Sequence, residues 1–275
     1  MIACIPRPRF CLLPALALAL CTAIPAAAQE GPGHAPAGGA SSQPPQGLGP
    51  IAPNRPGFTN GSATVAPGDA LAENGVALAR APASQGGQET LDLPETNLRV
   101  GVTPNLEADI GLPDYYDVHG GDRGFGDGAV GVKYKFYQSR DGNTKASFAP
   151  SLSLPTRTSF SSGHTDPALL LGMQTASGAR WSLASNLVRN SVAPSGARVA
   201  TTTISGSVSY TLTPALSVYV DAFDVVPQTG PPASSADGGV TYLLNKNVQL
   251  DAELYVGLGG IAPVRTLAAG LSFRL

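Results

Sequence analysis

The chain is 275 residues long, with 33 glycines, 25 prolines and only 13% charged residues. So many backbone breakers exclude a helical bundle or coiled coil. Seventeen basic against nineteen acidic residues give a formal net charge of -2. That excludes a basic nucleic-acid binder, and 43% apolar residues exclude a wholly disordered chain.

Residues 1–28 predict a secretory signal peptide. Arg7 and Arg9 form a positive n-region, Phe10–Leu20 an apolar h-region interrupted by Pro14, and Ala26-Ala27-Ala28 a small-residue cleavage site before Gln29. All three cysteines, Cys4, Cys11 and Cys21, fall inside it. Residues 29–275 would then carry no disulfide framework, thiolate metal site or cysteine nucleophile. Leu20 stands where a small residue precedes a lipidated cysteine, which argues against a lipoprotein through Cys21.

Residues 29–69 hold eight prolines, nine glycines and only Glu30, Arg55 and Asp69 as charges. This composition predicts a flexible Pro/Gly/Ala-rich periplasmic segment, with 51–69 partly ordered against the adjoining strand region.

From residue 70 the hydrophobicity alternates. In the run 248–258, Val248, Leu250, Ala252, Leu254, Val256 and Leu258 face one way, and Gln249, Asp251, Glu253 and Tyr255 the other. A period of two is the mark of a strand with one apolar and one polar face. The same reading places twelve strands, at 70–79, 91–102, 106–112, 127–137, 144–154, 168–177, 180–189, 200–212, 215–226, 237–244, 248–258 and 266–275. Tight turns alternate with longer connections at 80–90, 113–126, 155–167, 190–199, 227–236 and 259–265. Bacterial outer-membrane barrels have short periplasmic turns and longer outer loops. The expected architecture is therefore an all-β transmembrane antiparallel barrel of about twelve strands over 70–275. Both termini would lie in the periplasm.

Aromatic residues support the same orientation. Phe136, Tyr137, Trp181, Tyr210, Tyr242 and Phe273 all fall at the periplasmic rim of this topology, where an interfacial girdle belongs. The last strand carries an apolar face of Leu267, Ala269, Leu271, Phe273 and Leu275 to the carboxyl terminus. A soluble β-sandwich shares the alternation, but its outward face should be polar.

Several segments resemble a family of outer-membrane barrels labelled a transporter of the meta-pathway of phenol degradation. Asn54-Arg55-Pro56-Gly57-Phe58-Thr59 is similar to its N-terminal signature. Leu98–Glu107 is similar to its second hairpin, and Gly126–Tyr134 to its Gly-Asp…Gly-Lys-Tyr strand. Asp237–Leu244 together with Val248–Asp251 is similar to its C-terminal hairpin. The resemblance covers residues 54–275 and implies the barrel fold and a transport role. It carries no residue's role over.

By strand parity, Arg99, Glu107, Asp109, Lys133, Lys135, Asp251, Glu253 and Arg274 point into the barrel as lumen-lining candidates. Glu73, Arg180, Asp221 and Asp237 are further inward candidates. The energetic basis is that a midplane Arg or Lys on the lipid face costs ~2–4 kcal/mol. The run Ser159–Asp166 contains Ser, His and Asp, but a triad is a spatial arrangement that sequence neighbours rarely satisfy; no catalytic residue and no enzyme activity are expected. Asp114, Asp117, His119, Asp122 and Asp127 do not match a calcium-loop spacing, so neither metal nor cofactor is expected.

The sequence thus points to an outer-membrane channel or transporter passing small molecules, with hydrophobic or aromatic compounds suggested by the family alone. The alternative is a structural or partner-binding barrel with a closed lumen. Expected partners are outer-membrane lipid and lipopolysaccharide, and the barrel-assembly machinery during biogenesis; nucleic acid is not among them.

Overall fold

The computed structural model describes residues 49–192 and 198–275. The expected signal peptide and residues 29–48 of the expected arm lie outside them.

Among the described residues, fifteen strand segments form one antiparallel sheet. They are β1 (Ala70–Arg80), β2 (Glu89–Leu93), β3 (Asn97–Thr103), β4 (Leu106–Gly111), β5 (Tyr115–Val118), β6 (Arg123–Phe125), β7 (Gly128–Gln138) and β8 (Thr144–Leu154). After these come β9 (Pro167–Ser177), β10 (Trp181–Val192), β11 (Val199–Thr211), β12 (Leu216–Pro227), β13 (Ala233–Asn245), β14 (Val248–Gly260) and β15 (Arg265–Arg274). β15 pairs with β1 from Leu71 opposite Arg274 to Arg80 opposite Arg265, and so closes the sheet into a barrel. Closure leaves no free edge along this seam.

Three neighbouring strands are each built from two segments: β2 with β3, β4 with β5, and β6 with β7. Counted this way the barrel has 12 strands. Pro94 and Pro113 cause two of the interruptions, because proline has no N–H to give to the ladder. Pairing resumes at once around them: the Glu95 N–H donates to Gly75 at 3.0 Å and the Leu112 N–H to Thr96 at 2.9 Å.

The expected strand limits agree with the observed ones to within four residues, with one correction. Half of the expected outer loop 113–126 is strand, and 119–122 is the turn between its two arms. Pro113 and Gly126 read as loop formers, yet they only interrupt strands that continue past them. Tyr115 meets Phe125 edge-on across the β5–β6 hairpin, with centroids 5.2 Å apart. The asymmetry between the barrel's two ends is therefore weaker than expected, since turn 261–264 is no longer than turn 139–143.

Burial is inverted relative to a soluble domain. The enclosed side chains include Arg99, Glu107, Glu73, Lys133 and Asp221, while Val220, Leu254, Leu267 and Leu271 are exposed on the outside. Soluble domains bury Leu and Val and almost never fully bury Lys, Glu or Arg unpaired. A continuous outward apolar band around a closed barrel is a lipid-facing surface, which removes the β-sandwich reading.

Candidate functional site

Residues 49–69 do not form a free arm. They make a strap that enters the lumen at the short-turn end, crosses it and returns to begin β1. Of the segment expected to be flexible over 29–69, with partial order over 51–69, the described part is held inside the barrel from Gly49 onward. The Ile51 N–H donates to Lys246 in the β13–β14 turn at 2.9 Å, and Ile51 packs with Val65, Leu71 and Leu243. At the other limb, the Gly68 N–H donates to Gly101 at 3.0 Å.

Between these feet, wall side chains receive the strap's backbone donors. Glu73 accepts from the N–H groups of Asn54 (3.1 Å) and Arg55 (3.2 Å). Glu253 accepts from Gly57 (2.7 Å), Asp221 from Thr59 (2.7 Å) and Glu107 from Val65 (2.6 Å). Neutral amides continue the pattern. Asn186 accepts from the Asn60 N–H at 2.7 Å and donates back to Asn60 O at 3.1 Å, and Gln174 accepts from the Ser62 N–H at 3.1 Å. Buried backbone donors need partners, and carboxylates make the stronger, charge-assisted bonds to them. This supplies what a Pro/Gly-rich segment without secondary structure cannot supply for itself.

Charged pairs complete the clasp. Arg55 Nη1 reaches Glu95 at 2.6 Å, and its Nη2 lies 3.4 Å from Asp251 and 3.5 Å from Glu253. Arg99 sits between Glu73 (2.8 Å) and Glu107 (2.9 Å), and Lys133 reaches Glu107 at 2.9 Å. At the foot, Arg274 of β15 holds Asp69 at 2.7 Å. Inside the barrel Glu73, Glu95, Glu107, Asp109, Asp221, Asp237, Asp251 and Glu253 outnumber Arg55, Arg99 and Lys133. The lumen is electronegative.

Glycines make room for the strap. Gly75 and Gly270 stand opposite each other across the β1–β15 seam. A Cβ on Gly75 would collide with the Arg55 guanidinium, and one on Gly270 would lie 2.5 Å from Arg55 Nε. Gly57 itself has φ +91°, a conformation that side chains resist, and it rests on the Tyr219 ring.

Among the sequence candidates, Arg99, Glu107, Lys133, Asp251 and Glu253 are buried inside the barrel. Asp109 lies 3.8 Å from Arg99. Arg274 ties the strap's foot, whereas Lys135 bonds Gln138 at the short-turn rim (2.7 Å). Phe136, Tyr137, Trp181 and Tyr242 are exposed at that same end, and Trp181 packs on Tyr210 at 4.6 Å between centroids. Phe273 is half-buried there, opposite Val248. In the neighbouring 139–143 turn, the Ser139 hydroxyl and the Asn143 N–H hold the Asp141 carboxyl below its ordinary pKa.

The Ser159–Asp166 run ties neighbouring loops together. The Ser162 hydroxyl donates to Asp127 at 3.0 Å, and Asp166 pairs with Arg198 at 3.1 Å. Among the described residues, no three His, Cys, Asp or Glu side chains converge on a metal-sized site.

The lumen is not filled by the strap. Cavities of about 470 Å³ and 360 Å³ open toward the long-loop end and share Asp127 and Ala129 as wall residues. A third of 390 Å³ sits over Arg55, Gly57 and Phe58. On the short-turn side, a 240 Å³ cavity lies among Ser182, Ser207, Ser209 and Ser217. Asn54 and Arg55 line both the 360 Å³ and the 240 Å³ spaces. Strap residues from Ala52 to Gly61 line one or both of these spaces, so the strap lies between them.

The strap, Asn186, Gln174 and the wall glycines were not among the sequence candidates. The available signal was Arg55 standing alone between prolines, inside the Asn54–Thr59 motif.

No curated protein sequence matches the chain. Solved structures share its fold at low identity. An outer membrane channel from Pseudomonas putida F1 is 12% identical, with a TM-score of 0.59 over 78% of this chain and 98% of that one. The NanC porin is 11% identical, with a TM-score of 0.56 over 74% and 100%. The KdgM porin is 8% identical, with a TM-score of 0.53 over 74% and 98%. Residues 53–275, strap and barrel together, match the family described as "Putative MetA-pathway of phenol degradation", and the chain belongs to that family.

Proposed function

We propose that the protein is an outer-membrane channel for small molecules whose conductance is set by its own strap. The observation that carries this reading is the pair of cavities that share Asn54 and Arg55 of the strap as lining. Polar walls on both sides suit hydrated solutes. Rings of inward charge select by sign in channels of this kind, and the carboxylate excess favours cations. The family label brings aromatic or hydrophobic compounds forward as cargo. The expected partners, lipid and lipopolysaccharide around the barrel and the assembly machinery during biogenesis, belong to the same reading.

The test is single-channel conductance of the refolded protein in a planar bilayer, beside an Asp109→Lys variant. Asp109 lines a 230 Å³ cavity with Lys133. Discrete cation-selective conductance that moves toward anions in the variant supports the channel.

A barrel with a closed lumen is the second reading, favoured by the dense clasp on the strap. A folded protein that shows no conductance and passes no small solute into liposomes selects it.

A further inference from the structure

We propose that the 390 Å³ cavity over the strap binds a small aryl cation, a ring carrying a substituted ammonium group. The proposal rests on the channel reading for how such a ligand arrives, but not for whether it binds.

The floor is the strap itself, at Arg55, Gly57 and Phe58. Phe58 stacks on Phe223 with centroids 4.1 Å apart and 12° between planes. Phe223 meets Tyr255 edge-on at 6.1 Å, and Tyr116 contributes a further ring to the lining. Between them Ala77, Ala79, Ala233 and Ala268 leave space where larger side chains would close it. A dry cavity of ~150 Å³ already accepts benzene, so this one holds a substituted ring.

The charges decide the class. Asp92, Glu95 and Glu253 line the cavity against Arg55 alone. Arg55 is already engaged by Glu95, Asp251 and Glu253, so it has little left for an anionic ligand. Glu253 is occupied by the Gly57 N–H and the Tyr219 hydroxyl, both at 2.7 Å. Asp92 is different: it lines the cavity and its carboxylate accepts no hydrogen bond, its Oδ1 being enclosed. An uncharged ring would leave that carboxylate without a counter-charge, which is costly away from water. An ammonium group supplies both charge and N–H donors to the carboxylate, and it is attracted to the faces of the surrounding rings.

The experiment measures equilibrium binding of benzylammonium, phenylacetate and benzyl alcohol to the refolded protein in detergent. Asp92→Asn and Phe223→Leu are compared, with retained folding checked by the heat-induced shift on gel electrophoresis. Saturable binding of the cation, at least about tenfold tighter than the anion, is expected from the charge and the rings. Asp92→Asn should remove most of that preference and leave benzyl alcohol unchanged. Phe223→Leu should weaken all three. Equal or tighter binding of phenylacetate, unaltered cation binding in Asp92→Asn, or no saturable cation binding overturns the proposal. If Asp92→Asn does not fold, the cation-to-anion ratio of the unaltered protein decides. Conductance measured in parallel separates the two readings. Binding without conductance removes the channel and keeps the site; conductance without binding removes the site and keeps the channel.

Discussion

Arg99 on β3 and Glu107 on β4 meet inside the barrel at 3.1 Å (Nε to Oε1) and 2.9 Å (Nη2 to Oε1), with 1% and 0% of their residue surfaces exposed. The pair also touches both limbs of the strap. Arg99 donates to Ala52 O at 3.1 Å on the way in, and Glu107 accepts from the Val65 N–H at 2.6 Å on the way out. These two strand residues therefore join wall and strap into one network.

Removing one member should be costly. Arg99→Met leaves Glu73 without its cation and Glu107 with Lys133 alone, and breaking a buried pair costs ~3–5 kcal/mol. The expected outcome is a clear fall in the denaturant midpoint of the refolded barrel. Glu107→Gln, which keeps an acceptor for Val65, should cost less than Arg99→Met.

Crowding the Arg55–Asp251 pair should loosen the strap. A Cβ at Gly270 would lie 2.5 Å from Arg55 Nε and 2.6 Å from Asp251 Oδ1, so Gly270→Leu must push the two apart. Single-channel recording should show a higher or noisier conductance than the unaltered protein.

Deleting residues 49–66 removes the strap but keeps Asp69 for Arg274. The barrel ladder does not depend on these residues, so the variant should still fold. Its conductance should rise severalfold, because the separated cavities then become one lumen. Unchanged conductance would mean that the wall, not the strap, sets the width.

The outer and inner faces of β14 should respond in opposite ways to charge. Leu254 is exposed at mid-strand, and Leu254→Arg should cost ~2–4 kcal/mol in a bilayer. Its neighbour Glu253 faces the strap, so Glu253→Gln should lose the Arg55 pairing and alter conductance more than insertion. Urea titration in vesicles reads the first effect and bilayer recording the second.

Much of this was legible from residue patterns. Alternation in 248–258 put Asp251 and Glu253 on the inner face, and parity alone found Arg99, Glu107 and Lys133. The strap was not legible, for a physical reason. It is held mostly through its backbone N–H groups, which every non-proline residue has, so apart from Arg55 and its motif little in it stood out. A second trace lay in the wall. Inward carboxylates exceeded inward cations, and such a surplus must find donors somewhere. The continuation of the strand at 115–118 was hidden because proline can interrupt a ladder as well as end one.

The strap's place in the chain imposes an order on assembly. Residues 49–69 precede every strand, but their anchors Asp221, Asp251, Glu253 and Arg274 lie on β12, β14 and β15, among the last segments of the chain. A segment that leaves the ribosome ahead of every strand is thus among the last to be seated. It cannot be fully locked before the carboxyl-terminal strand is delivered and the Leu275 N–H meets Ala70 O at 2.9 Å. A barrel arrested short of that step would present an unfilled bore.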